Sequence, residues 1–374
     1  MWSASAVLGV LVLVALSNSL VMRRFGTAPA ASDVPLVSVL VPARDEEPNV
    51  ERCVLSLLAQ DHPRVEVLVI DDESGDGTWA ILERLAREDA GPEGTGRLRV
   101  VRGTPPPPGW IGKNWACRQL EDHAGGDLLL FTDADTEHDP RTVREAVAEL
   151  EHARADLVTA IVRHEVETWP ERVAVPMMPW ANMTFVPLAL AYRTTWPAVS
   201  TTIGHFMLFR REAYERIGGY ASVAGSVIDD VALGRRLRAH GLRWWLLDGT
   251  GRIRCRMYRT VPQIVEGFGK NVFALLDCHV ALGALAWLAL AGLFLAPLLA
   301  LAAGHAAAAL PVALALVLFA IAYARTRVPV GLALLYPLTV VSLLAVGLIS
   351  MVGTVRGTTT WKGRVVVRQR INWL

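Results

Sequence analysis

Residues 127–140 read D-L-L-L-F-T-D-A-D-T-E-H-D-P, from Asp127 to Pro140. The apolar run 128–131 is bounded by polar turn residues, the pattern of a fully buried strand. It leads directly into Thr132, Asp133, Ala134 and Asp135. In an extended chain, residues i and i+2 share a side, so Asp133 and Asp135 can converge on one hard cation, which in turn holds phosphate oxygens. A plain acidic turn would use the same residue types, because Asp is a turn former. The remainder of the chain decides between the two.

Residues 36–41 (L-V-S-V-L-V) form a second buried run, ending in Pro42, Ala43, Arg44, Asp45, Glu46 and Glu47. Residues 49–60 follow with Val50, Val54, Leu57 and Leu58 at helical spacing. Residues 65–70 run into Asp71, Asp72, Glu73, Ser74, Gly75, Asp76, Gly77 and Thr78, and residues 79–87 are again helical. Further strands are expected at 98–102 and 157–162. Strands alternating with helices indicate an α/β fold with a parallel sheet, whose ligands bind outside the carboxyl ends of the strands. Three of these strands end in acidic clusters. Carboxylates gathered at one sheet edge repel one another unless a cation or a hydrogen-bonding ligand is present.

The composition adds a membrane. In a chain of 374 residues, 52% are hydrophobic and only 20% charged, with a mean hydropathy of +0.34, too apolar for an ordinary soluble enzyme. A formal net charge of +1 leaves no basic surface of the kind that binds nucleic acid. Cys53, Cys117, Cys255 and Cys278 show no metal-ligand spacing and read as reduced, structural thiols on a cytosolic face. Residues 2–22 are uncharged and long enough to span a bilayer. Arg23 and Arg24 follow this run, whereas a signal peptide carries its charges ahead of the apolar core. Residues 1–24 therefore read as an uncleaved anchor, with the chain beyond Arg24 in the cytoplasm. Apolar runs return at 282–303, 310–324 and 328–353, making a membrane block over 280–353, and residues 354–374 form a basic tail with Arg356, Lys362, Arg364, Arg368 and Arg370. Three crossings from the cytoplasm would put this tail outside, but its charge argues for the inside. Either the last run turns back at Pro337 or the tail breaks the rule. The expected protein is a multi-pass cell-membrane protein with a cytoplasmic domain over 33–275.

In order and spacing, V-S-V-L-V-P-A-R-D-E-E, V-L-V-I-D-D-E-S-G-D-G-T and F-T-D-A-D resemble the family 2 glycosyltransferases of the GT-A fold, over about residues 36–275. Within that family the likeness is to membrane-anchored enzymes that glycosylate lipids: carotenoid-acid, hopene-associated and ceramide glucosyltransferases. The resemblance implies a Rossmann-like GT-A catalytic domain with a mostly parallel sheet, an N-terminal anchor and C-terminal transmembrane helices. It also implies that Pro42, Ala43, Asp45, Glu46, Asp71 and Asp72 line the nucleoside pocket. Asp133 and Asp135 would bind a divalent metal, Mg2+ or Mn2+, on the diphosphate of the donor, a UDP-sugar. Asp45 and Glu46 also suit a helix N-cap with first-turn acids.

Four prolines, 105–108, precede Gly109, Trp110, Ile111, Gly112 and Lys113, a G-W-x-G-K pattern that resembles a loop of the lipid-glycosylating subgroup. Lys113 can reach a phosphate as a point charge or stand solvated. Residues 173–199, rich in Met and Trp and broken by prolines, suit an interfacial helix pair near a lipid acceptor or core beneath a loop. Residues 202–211 (T-I-G-H-F-M-L-F-R-R) resemble the family strand before the acceptor site, with His205 as a packed histidine and not a ligand. Residues 227–237 form a helix opened by Asp229 and Asp230 and stopped by Gly241. They resemble the family's E-D motif, with Asp229 in place of Glu. Matched position by position, Asp230 is the catalytic base and Asp229 its companion. In direct displacement at an anomeric carbon, a carboxylate takes the acceptor hydroxyl's proton as attack proceeds; an acceptor that is itself a carboxylate needs this less. Arg256 and Lys270 stand where relatives carry a Q-x-x-R-W motif. They either neutralise the diphosphate or are juxtamembrane charges. No literal Q-x-x-R-W is present, which weighs against processive polysaccharide synthases. The expected activity is inverting sugar transfer to an isoprenoid, carotenoid or sphingolipid-like acceptor. Polyprenyl-phosphate sugar transfer and a non-catalytic nucleotide-sugar-binding protein are the alternatives.

Overall fold

The computed structural model describes residues 2–91 and 96–373. The chain forms two compact units, one from residues 22–163 and 191–256, the other from the first 21 residues, 164–190 and 257 onward.

The first unit is built on β1 (Val37–Ala43), β2 (Val65–Asp71), β3 (Leu98–Arg102), β4 (Leu128–Phe131), β5 (Thr136–His138), β6 (Leu157–Ile161), β7 (Met207–Arg210), β8 (Trp244–Asp248) and β9 (Ile253–Cys255). Seven of these make one sheet in the order β3-β2-β1-β4-β7-β6-β8. All its pairings are parallel except those of β7, which runs antiparallel to both β4 and β6. Val39, Leu40, Val41, Val67, Leu68, Val69, Leu130 and Phe131 are all buried. Continuous apolar runs of this kind belong to strands covered on both faces. The helix Val50–Leu58 covers its share with Val50, Cys53, Val54 and Leu57, spaced three and four apart as a one-sided helix requires. Truncating a residue such as Leu130 to Ala would cost about 2–5 kcal/mol.

Pairing register delivers the acidic ends to one edge. Ala43 pairs with Asp71 across β1 and β2, and Leu40 with Phe131 across β1 and β4. A separate antiparallel pairing of β5 with β9 sets Thr136 opposite Cys255, a contact between distant segments that apolar periodicity does not encode.

Among the described residues, the second unit holds four helices long and apolar enough to cross a membrane: Trp2–Val21, Val280–Ala302, Ala306–Arg325 and Val330–Arg356. The helix Met177–Phe185 packs among them. Trp180 is fully buried and stacks on Phe319 with ring centroids 4.6 Å apart. Asn18, a buried amide in an otherwise apolar helix, donates to the carbonyls of Met183 at 2.9 Å and Val186 at 2.7 Å and accepts from the Leu188 amide at 2.9 Å. These bonds offset its desolvation and fix the segment in place. Trp169 and Trp196, by contrast, are 66% and 62% exposed.

At the C-terminal end of the block the chain reverses before Pro337. The Tyr336 ring packs on Phe319, centroids 5.4 Å apart, within two turns of Arg325, so residues 326–335 fold back along the helix they leave. Pro337 then stands in the first turn of the helix Tyr336–Arg356, where its missing N–H costs nothing; the reversal comes before it. That helix runs antiparallel to Val280–Phe294, with Gly347 against the Trp287 ring and Gly283 facing Met351. The tail returns to the start of the block, where the amide of Val280 donates to Asn372 at 2.8 Å and that of Asn372 to Cys278 at 3.1 Å.

Candidate functional site

At the ends of β1 and β2, the Asp72 amide donates to the Ala43 carbonyl at 2.7 Å. The Arg44 guanidinium donates to the carbonyls of Asp72 at 2.6 Å and Glu73 at 3.1 Å. The Asp45 carboxylate accepts from the Gly75 amide at 2.7 Å, while its own amide donates to Ser74 Oγ at 2.9 Å. Asp45 and Glu73 both sit at positive φ, 49° and 58°, a conformation that Asp tolerates better than most residues. The two loops are thus stitched into one rim. Asp71 and Asp72 are buried within it, each 3% exposed. The N-cap reading of Asp45 and Glu46 does not hold: Asn49 is the capping residue. Glu46 serves from further back, its carbonyl accepting from the Asn49 and Val50 amides.

β4 ends at Phe131, and the chain turns at once. Both the amide of Thr136, at 3.2 Å, and its hydroxyl, at 2.7 Å, donate to the Asp133 carbonyl. Asp133 and Asp135 therefore do not project from an extended stretch, and their carboxylates meet different partners. Asp133 Oδ1 lies 2.7 Å from Lys113 Nζ. Lys113 also stands 3.7 Å from Asp229 Oδ2. The reason is local: Asn114 is buried, and its side-chain amide donates to the carbonyls of Val223, Ala224 and Ser226 at 2.9–3.1 Å. This clamps the start of the helix Gly112–Glu121 to the loop that precedes Asp229. Burial opposes the Lys113 charge, but Asp133 and Asp229 outweigh it and hold the ammonium well above its usual range.

Asp229 and Asp230 open the helix Asp229–Ala239. Asp229 accepts from the Tyr220 hydroxyl at 3.0 Å. Asp230 accepts from the Gly204 amide at 2.8 Å and from the Val231 amide at 2.7 Å. Burial, with the Asp229 charge behind it, pushes the Asp230 carboxyl up to about 6, while Lys113 and the two amides restrain the rise. A carboxyl poised near the working pH is suited to taking a proton.

Next to Gly204 comes His205, which is buried; burial lowers its basicity and keeps the imidazole neutral. Its carbonyl accepts from Thr132 Oγ1 at 2.7 Å. His205, Asp135 and Cys255 bring one nitrogen, oxygen and sulfur donor each to within 4.8 Å of one another. Donors that share one ion tetrahedrally at bonds of about 2.0–2.3 Å lie roughly 3.3–3.8 Å apart, so side-chain adjustment of up to about an ångström closes the set. These donor types fit a divalent ion.

The structure thus brings Lys113, Asp133, Asp229 and Asp230 into one cluster, and it groups Pro42, Ala43, Asp45, Glu46, Asp71 and Asp72 at the neighbouring strand ends. Arg256 follows Cys255 directly and is half-buried. Lys270 belongs to the other unit, where its ammonium lies 4.4 Å from the centre of the Trp361 ring. Sequence reasoning treated His205 and Cys255 as packing residues. The signal that brings them beside Asp135 is register, because β5 and β9 pair Thr136 with Cys255 and β4 and β7 pair Phe131 with Met207.

Comparison with known proteins adds an independent line. Residues 38–218 match the model of glycosyl transferase family 2. A 4,4'-diaponeurosporenoate glycosyltransferase from Staphylococcus haemolyticus (strain JCSC1435) is 26% identical over 257 residues, covering 66% of this chain and 62% of its own length. The O-antigen biosynthesis protein RfbC of Myxococcus xanthus is 31% identical over 229 residues, 56% of this chain and 16% of that one. The chain spans about three fifths of the length of the diaponeurosporenoate enzymes it matches. Among solved structures, the mannosyltransferase PcManGT from Pyrobaculum calidifontis, in complex with GDP-Man and Mn2+, superposes with a TM-score of 0.52 at 22% identity, over 94% of this chain and 98% of that one. Sheet order, acidic strand ends and the family match agree: residues 38–218 carry a domain that matches glycosyl transferase family 2, on a GT-A fold.

Proposed function

We propose that this chain transfers a sugar, with inversion, from a nucleotide-sugar donor to a lipid acceptor at the cytoplasmic face of the cell membrane. The observation that carries this reading is Asp230: a buried carboxylate held by two amides and raised to about 6, beside the acidic end of β4. Its role is to accept the acceptor hydroxyl's proton as the oxygen attacks the anomeric carbon. Asp45, Asp71 and Asp72 on their stitched rim would receive the nucleoside. Lys113 is placed to trade part of its pairing with Asp133 for a phosphate oxygen, and Arg256 is a second candidate for the diphosphate. A divalent cation, Mg2+ or Mn2+, at the Asp133–Asp135 turn would stabilise the charge that develops on the departing diphosphate.

The acceptor class rests on two supports. Relatives at 26% identity carry names that specify a carotenoid acid, 4,4'-diaponeurosporenoate. The chain also has four helices suited to a bilayer. A multi-pass arrangement with the family 2 domain in the cytoplasm suits Arg23 and Arg24 after the first helix, and the basic tail, which returns beside residues 278–280, suits the same face.

The deciding experiment incubates the purified full-length chain with lipid extract and a panel of labelled UDP-, GDP- and dTDP-sugars, followed by mass spectrometry of the lipid fraction. An acid-stable glycolipid is the expected product, and its formation should require Asp230 where the acceptor group is a hydroxyl and depend on it less where the group is a carboxylate. An acid-labile, charged product would replace this reading with polyprenyl-phosphate transfer, and donor binding without any product would replace it with a binding role.

A further inference from the structure

Three distant segments of the chain converge at the edge of the sheet around Asp135. Asp135 precedes β5, Cys255 closes β9 opposite Thr136, and His205 leads into β7 beside the end of β4. Their donor atoms lie within 4.8 Å of one another, and both His205 and Cys255 are buried. Among the described residues, this is where three such side chains meet closely enough to share an ion. Charge supports the grouping as well. Asp133 has its counter-charge in Lys113 at 2.7 Å. A carboxylate, a thiolate and a neutral imidazole together carry two negative charges, which a divalent ion cancels, as a buried site requires.

We propose that Asp135, His205 and Cys255 are the protein's ligands for the divalent ion, with Cys255 bound as a thiolate, and that this set selects Mn2+, Co2+ or Zn2+ over Mg2+. The purpose of the ion rests on the glycosyl-transfer reading; the ligand set rests on geometry alone. Binding displaces the Cys255 thiol proton to solvent, one per ion. The selectivity follows from ligand chemistry: Mg2+ demands near-octahedral oxygen coordination, whereas thiolate and imidazole favour borderline and softer metals. Asp133 acts beside the ion through Lys113, and Cys255 is not the inert structural thiol that its isolated position in the sequence suggests.

The test uses full-length chain in detergent, stripped of metal and titrated with Co2+ in the absence of donor and acceptor. One Co2+ per chain should bind with a thiolate-to-cobalt charge-transfer band in the near ultraviolet. Cys255→Ser should abolish the band and weaken Co2+ by more than the roughly 10- to 100-fold that losing an outer-shell partner costs. Cys278→Ser, in the other unit, should keep both. Mg2+ should compete with Co2+ poorly in the wild type and markedly better in Cys255→Ser. Should Cys255→Ser fail to fold, the cadmium NMR resonance of the wild-type protein reads thiolate coordination without any variant. Co2+ binding without the charge-transfer band, a cadmium shift typical of oxygen and nitrogen ligands, or equal Co2+ affinity in Cys255→Ser would each overturn the proposal. None of these readouts needs sugar transfer, so failure of the transfer assay and failure of the ligand set are separable.

Discussion

The Asp133/Asp135 pair and the Asp229/Asp230 pair share a residue type but differ in backbone. The first stands on a turn at the end of a buried strand and the second at the N-terminus of a helix. Lys113 lies between them and pairs with the first member of each, Asp133 at 2.7 Å and Asp229 at 3.7 Å. The second members face elsewhere, Asp135 toward His205 and Cys255 and Asp230 toward the Gly204 amide. One lysine therefore pairs with the first carboxylate of each pair, and the second of each faces other groups. The same division keeps the site stable without ligand, since four clustered carboxylates with no cation would repel.

This division is broken most severely at the second members. Asp230→Asn should lower kcat for a hydroxyl acceptor by about 10²–10⁴-fold while donor affinity, measured by calorimetry, stays within about twofold of wild type. Asp135→Asn should instead weaken metal-dependent donor binding. Equal behaviour of the two variants would mean that the pairs are not divided as described.

Smaller effects should appear in the pH dependence, and the two companion residues should act in opposite directions. In the proposed role of base, Asp230 must be ionised, so kcat/KM should fall as pH drops through about 6. Lys113 favours the ionised form. Lys113→Met should move the acidic limb to higher pH and lower the rate in weakly acidic buffer by roughly 3- to 10-fold. The Asp229 charge disfavours the ionised form, so Asp229→Asn should move the limb to lower pH. Profiles of kcat/KM over pH 4–8 check both signs, and limbs displaced in the same direction would contradict the arrangement.

Much of the fold was legible because it rests on periodicity. The apolar runs around Leu40, Leu68 and Leu130 could be buried strands and little else, and the four apolar helices declared themselves by length. The family motifs carried the acidic strand ends. What could not be read depends on contacts between distant segments. The turn after Phe131 separates Asp133 from Asp135, yet it is made by Thr136, and extended-chain reasoning missed it. Cys255 looked structural because His205 and Asp135 lie 50 and 120 residues away, and the β4–β7 and β5–β9 registers bring the three together. Lys113 could be assigned to phosphate or to solvent, but not to Asp229, because that pairing depends on Asn114 clamping residues 223–226. The fold-back before Pro337 likewise comes from the packing of Tyr336 on Phe319.

The smallest expected effect concerns Tyr220, whose hydroxyl donates to Asp229 at 3.0 Å from a fully buried ring. A hydrogen bond to a charged group contributes about 1.5–3 kcal/mol at most, and here Lys113 provides Asp229 with a second partner. Tyr220→Phe should therefore lower thermal stability modestly, by about 1 kcal/mol, and leave the fold intact. Chemical denaturation of wild type and variant checks this: unchanged stability would mean that Lys113 alone holds Asp229, and a loss above about 3 kcal/mol would mean that the hydroxyl has a further role at the start of the helix Asp229–Ala239.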